Sequence, residues 1–200
     1  MDEMYDIVPT PDDRDTHKPL LAQWLDVLLK IQIAAVAVSL LAMIPGVIKV
    51  TQWVSPLLAV GVIVALFRLT PVSGRYRKAA IFRCVTLAGT VLALFNINAL
   101  SLVTSVCAIV ASYQEYAGHS EVTNAAPALS RRWHSLFYWQ LVVGILSGFG
   151  AVAGTVIAVL VGVGSTAIIN GVVVVIAAVS VVMQIVYVLY LKKTLELFRF

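Results

Sequence analysis

The chain has 200 residues, 60% of them hydrophobic and 12% charged, with a formal net charge of +4 and a mean hydropathy of +0.96. A soluble domain of this size has no interior large enough to hide so much apolar surface, so the composition implies an integral membrane protein. The long apolar run AIINGVVVVIAAVSVVMQIVYVLYL does not alternate with period two, which speaks against a transmembrane β-barrel and for an all-α protein.

Residues 1–19 read as an acidic, disordered cytoplasmic tail: the first fifteen carry Asp2, Glu3, Asp6, Asp12, Asp13 and Asp15 against Arg14 alone. That sign is wrong for the start of a cleavable signal, so the first apolar segment is expected to direct insertion and to remain in the protein. Residues 20–200 read as one transmembrane helical domain. Its first span covers about 25–44 and is closed by Pro45 and Gly46; its second covers about 52–68 and ends at LTPVSGRYRK. The last two cover about 134–158 and 167–191, separated by GVGSTAIING.

Between these pairs lies an ambiguous piece, 79–115, interrupted by FNINALS. As one helix it would be about 55 Å long, nearly twice the hydrocarbon thickness. As two helices, at 79–96 and 99–115, each reaches about 27 Å. Basic residues in short loops stay on the cytoplasmic side, and they decide between the two arrangements. Five spans with one long or kinked central helix divide the fourteen cations about evenly. Six spans, arranged as three hairpins with Asn96 and Asn98 in an outer turn, leave only Lys49 on the far side. The expected architecture is therefore a six-span helical bundle with both termini in the cytoplasm.

The hairpins carry traces of a repeat. A shift of 108 sets Pro19 on Pro127, Leu21 on Leu129, Leu28 on Leu136, Gln32 on Gln140, Ser39 on Ser147 and Gly46 on Gly154. Ser39, Ala42 and Gly46 in the first helix, and Ser147, Gly150 and Gly154 in the fifth, then share a helix face, and Gly144 and Gly148 add a GxxxG pair. Small residues on one face let backbones approach closely, so these eight positions are expected to pack helices. Cys84 and Cys107 lie in apolar stretches and read as packing residues.

Motifs for catalysis, phosphate loops and redox cysteine pairs are absent, so no enzymatic activity and no cofactor are expected, and nothing points to nucleic acid. Glu115, His119, Glu121 and His134 have metal-ligating side chains, but a solvated loop between helices collects the same residue types without tight ligand spacing, and the loop is the expectation. Asp26, Lys30 and Arg83 fall near the inner boundary, where basic side chains snorkel. Arg75, Arg77 and Lys78, with Arg131, Arg132, Lys192 and Lys193, form a cytoplasmic cation surface for anionic lipid headgroups.

The stretches SYQEYAGHSEV and LSRRWHSLFYWQ, with LTPVSGRYRKAAIF, resemble a group of uncharacterised small bacterial multi-pass membrane proteins from Trp24 onward. The resemblance implies a bacterial cell membrane and transfers no site residue. Small-residue faces, and no carboxylate placed at mid-membrane, make a subunit or scaffold acting through contacts with itself or another membrane protein the first functional expectation. An oligomeric channel or transporter for a small solute is the alternative.

Overall fold

A computed structural model describes residues 11–44, 46–95, 101–161 and 165–199. It consists of six helices: α1 (Pro11–Leu41), α2 (Ile48–Arg68), α3 (Gly74–Leu94), α4 (Ser101–Val122), α5 (Pro127–Val161) and α6 (Ser165–Glu196). Three contain segments long and apolar enough to cross a membrane, Lys18–Leu41, Val50–Arg68 and Val174–Glu196. The described residues thus form an all-helical structure with the build of a membrane protein.

The ambiguous central piece is two helices. α3 ends at Leu94 and α4 starts at Ser101; residues 96–100, with the two asparagines read as a turn, lie outside the described residues. The two helices approach so closely that a Cβ on Gly89 would lie 1.8 Å from Thr104 Cγ2 and 3.0 Å from its Cβ. Thr104 is stiff at χ1, so a side chain at 89 pushes the helices apart. Gly89→Ala is expected to destabilise the protein by roughly 1–3 kcal/mol. Thr104→Ala should recover much of that loss in the double variant, measured by thermal unfolding in detergent.

Each helix packs on its chain neighbours, and α6 returns to α1, so the six close into a ring. Burial is concentrated at one end, called here the core end, where α1, α3 and α5 begin and α2, α4 and α6 finish. There Leu25, Leu66, Leu69, Trp133, Leu191 and Leu195 form one cluster. Away from it, the outward faces are apolar and exposed: Leu57 on α2 is 71% accessible, Leu102 on α4 77% and Phe149 on α5 70%. Such faces are tolerable only against lipid.

Two boundaries differ from the sequence reading. α1 takes in residues 11–19, assigned to the tail by composition, with Pro19 inside the helix. The larger difference is at 116–133, read as a solvated loop. α4 continues to Val122, a turn at 123–126 follows, and α5 starts at Pro127. Glu115, Tyr116, Ala117, Gly118, His119 and Ser120 are all buried. The polar residues taken as solvent-facing find their partners on neighbouring helices.

The repeat is visible only at the core end. Leu21 and Leu129, like Leu28 and Leu136, are all buried in the same cluster. The match fails at its far end, since Gly46 lies in the turn after α1 with φ +91° and position 154 is inside α5.

Candidate functional site: a buried polar cluster inside the ring

α4 presents Glu115 and His119, one turn apart, to the ring interior, and neither is accessible at all. α3 supplies Tyr76 and Arg83, two turns apart on one face. Arg83 donates to Glu115 Oε2 from Nη2 at 2.7 Å and from Nε at 3.1 Å. Tyr187 on α6 donates to the other carboxylate oxygen, Oε1, at 2.5 Å. His119 stands behind it, with Nε2 at 3.3 Å from Tyr187 Oη and Nδ1 at 2.9 Å from Tyr76 Oη.

These contacts assign the imidazole tautomer. Tyr187 has one proton and spends it on Glu115, so His119 Nε2–H must donate to Tyr187. Nδ1 of the neutral ring is then an acceptor and takes the Tyr76 hydroxyl proton. The chain runs in one direction, from Tyr76 through His119 and Tyr187 to Glu115, and ties α3, α4 and α6 together. Trp133 on α5 covers it, stacked on His119 with centroids 4.5 Å apart and its Nε1 donating to Thr194 Oγ1 at 3.1 Å. Among the described residues no buried side-chain polar atom lacks a partner. Such saturation makes the cluster a plug at the core end of the ring.

Beyond the plug, the same helix faces stay polar but become accessible. Steps of three, four or seven residues keep to one face. From Trp133 they reach Gln140, Gly144 and Ser147; from Tyr187, Gln184 and Ser180; from Arg83, Thr90; from Val62, Ser55; from Leu25, Gln32 and Ser39. Gln140, Gly144, Ser180, Thr90 and Ser55 are exposed, as are Ser101 and Ser105 of α4. Thr90, Ser105 and Ser180 each donate back to a carbonyl of their own helix, which leaves their oxygens free to accept. Gln140 accepts from Tyr116 Oη at 2.6 Å, and Ser39 donates to Gln184 Oε1 at 3.1 Å, joining α1 to α6. The opposite faces carry Val182, Ile185 and Leu189 on α6 and Val142, Ile145 and Leu146 on α5, all exposed. The helix faces that continue from the buried cluster therefore carry exposed polar residues, and the opposite faces carry exposed apolar ones.

The residues expected to pack helices are dispersed. Ser39 does join two helices, but α1 ends at Leu41, so Ala42 and Gly46 lie beyond it. Gly144 meets nothing within 4 Å and lies on the inward face of α5. The surroundings of Gly148, Gly150 and Gly154 lie outside the described residues. Close approaches occur instead at Gly89, at Gly61, whose Cβ would lie 3.0 Å from Ile31 Cδ1, and at Gly118, whose Cβ would lie 3.0–3.2 Å from the Tyr76 ring. Gly118 stands in a polar stretch, and Gly61 and Gly89 stand in apolar ones with no second glycine at GxxxG spacing, so sequence patterning passed over all three.

The cations expected at a lipid surface divide in two. Arg77, Lys78, Arg131, Arg132, Lys192 and Lys193 are exposed at the core end. Arg75 is engaged within the protein, paired with Glu121 and donating to Gln114; Glu121 Oε2 also accepts from Ser73, the N-cap of α3, at 2.8 Å. This contact separates Glu121 from Glu115 and His119, and His134 is exposed on α5. Among the described residues no three His, Cys, Asp or Glu side chains are grouped to hold a metal ion.

His119 lies one turn past residue 115, where the span read from sequence ends. Burial pushes its pKa down to about 4, against the opposing pull of the Glu115 charge. The folded protein therefore binds fewer protons at this site than the unfolded chain, whose His titrates near 6.5. The stability it contributes is complete above about pH 6.5 and is lost as the pH falls toward 4. His119→Gln keeps a donor and an acceptor but cannot be charged. Its melting temperature should fall less than that of the wild type between pH 6.5 and 4 in detergent. No protein-family model, curated protein or solved structure matches the chain.

Proposed function

We propose that the chain is a six-span protein of a bacterial cell membrane, with both termini and the cation-bearing core end in the cytoplasm. In this reading it passes a small polar solute through the interior of its own ring. The first and third hairpins are a repeat in this arrangement, and the exposed cations hold anionic headgroups. One observation carries the solute path: exposed polar residues lie on the helix faces that continue from the buried plug, while the outward faces are apolar. Hydroxyls and amides in a lipid-embedded bundle are costly unless they meet partners or water.

The scaffold reading depends on small-residue faces and on the absence of charge within the membrane. Gly144 on an inward face and the Glu115–Arg83 pair within the ring shift the balance toward transport. Capture of a second membrane protein at stoichiometric yield from native membrane would favour the scaffold.

The path is tested by labelling in a chain whose Cys84 and Cys107 are replaced by alanine. Ser105→Cys and Ser180→Cys should react with a charged, membrane-impermeant thiol reagent from outside, as should Asn98→Cys. Leu102→Cys and Val182→Cys, facing lipid, should not. Ala125→Cys, exposed between α4 and α5, should react only after the membrane is opened. Reaction at Asn98 with none at Ser105 or Ser180 would overturn the solute path while leaving the topology standing.

A further inference from the structure

We propose that Arg83 and Glu115 form a proton-controlled site for a small carboxylate at the base of the polar interior. Protonation of Glu115 releases the Arg83 guanidinium, which then holds the solute's carboxylate. The inference rests on the solute path proposed above and specifies its ligand class and its coupling ion.

The geometry of the pair carries the argument. Both Arg83 bonds fall on a single oxygen, Glu115 Oε2, while Oε1 is held by Tyr187. A proton placed on Oε2 therefore dissolves the ion pair without disturbing the Tyr187–His119–Tyr76 chain. The Arg83 side chain is 30% accessible, whereas that of Glu115 is completely enclosed, so the partner able to turn toward an incoming ligand is the cation. Among the described residues the Arg83 hydrogen bonds come from Nε and Nη2, and Nη1 makes none. Guanidinium suits a carboxylate, because its planar fork can give two parallel N–H···O bonds.

The surroundings restrict the ligand to one small anion. Arg83 is on the face that leads outward to Thr90, and the described polar positions beyond it, Ser105, Gln140, Ser147 and Ser180, are neutral. The titratable and charged groups around Glu115 are Arg83 and Tyr76 from α3, Tyr116 and His119 from its own helix and Tyr187 from α6; from α5, Trp133 packs on His119 and Gln140 accepts from Tyr116, and neither titrates. In the exchange one proton from interior water binds Glu115 Oε2, and one carboxylate takes its place on Arg83. The site carries the same net charge before and after, since one cation and one anion enter together. This neutrality removes the cost of leaving a lone charge in the interior.

The test uses the full-length protein in detergent with acetate as probe and chloride at equal ionic strength as control. Acetate affinity, read from the concentration dependence of the melting temperature, should weaken about tenfold per pH unit above pH 5.5, where acetate is ionised and Glu115 of the free protein is a carboxylate, because one proton binds with each anion. Glu115→Gln imitates the protonated carboxyl and should bind acetate with no such slope. Arg83→Gln should bind none, and Arg83→Lys should bind weakly while keeping the pH slope. Wild-type protein indifferent to acetate at pH 5.5, a slope retained in Glu115→Gln, or binding undiminished in Arg83→Gln would each overturn the proposal. If Arg83→Gln does not fold, the Glu115→Gln and Arg83→Lys results still decide it. Labelling at Ser105 and Ser180 separates the two claims: labelled positions with no acetate binding sink the carboxylate site alone.

Discussion

Replacing Glu115 with leucine is expected to cost about 3–5 kcal/mol, because it leaves a cation inside the ring without its counter-charge. It also deprives Tyr187 of its acceptor, and the hydroxyl of Tyr187 can donate to His119 Nε2 only if the imidazole proton moves to Nδ1 and Tyr76 becomes its acceptor. The cost is limited by the 30% accessibility of the Arg83 side chain, which gives it a route to water. Removing both charges in Glu115→Leu with Arg83→Met should therefore recover about 1–3 kcal/mol relative to Glu115→Leu, since a buried ion pair offsets little more than its own desolvation. Tyr187→Phe, which loses one hydrogen bond to a charged group and the acceptor of His119 Nε2–H, should cost about 2–4 kcal/mol. These values are accessible from equilibrium unfolding in mixed detergent. A double variant no more stable than Glu115→Leu would mean that the loss comes from packing and not from the stranded charge.

The class of the molecule and the number of its helices are legible in the sequence because they depend on sums: apolar length, basic-residue placement and the distance a helix can cover. The division of 79–115 into two helices needs only helix rise against bilayer thickness. The cluster depends on pairings between distant helices, which no local pattern records. Glu115 and His119 stand in SYQEYAGHSEV, a string with the composition of a loop, and only the approach of Tyr187 from 72 residues away makes it a buried helix. Arg83 near a boundary has the same local appearance whether it snorkels or pairs inward. One usable signal was present: Glu115 and His119 are four apart, and Ala111, Glu115, Gly118 and Val122 continue the period of the helix before them. Gly144 shows the converse, since a GxxxG spacing marks a face without saying whether that face meets a helix or a water-filled interior.

Trp133→Ala should be the most damaging single truncation of an uncharged side chain, at about 3–5 kcal/mol. The indole is completely buried and holds four neighbours in place through its rings: His119 stacked at 4.5 Å, Tyr187 edge-on at 5.4 Å, Tyr116 at 5.7 Å and Tyr190 at 5.9 Å. These belong to α4 and α6, so the cavity opens where α5 meets both. Its N–H satisfies Thr194, which in turn donates to the Tyr190 carbonyl at 2.9 Å. Trp133→Phe keeps most of the volume and loses this bond, and it should cost about 1–2 kcal/mol. The two substitutions also separate packing from electrostatics. With alanine at 133, water reaches His119, its burial is relieved and its pKa rises from about 4 toward 6.5. The acid-side loss of stability assigned to His119 should then shrink in Trp133→Ala and persist in Trp133→Phe. An unchanged acid slope in Trp133→Ala would show that the plug stays dry without its indole, and that the enclosure of His119 is owed to Tyr76 and Tyr187.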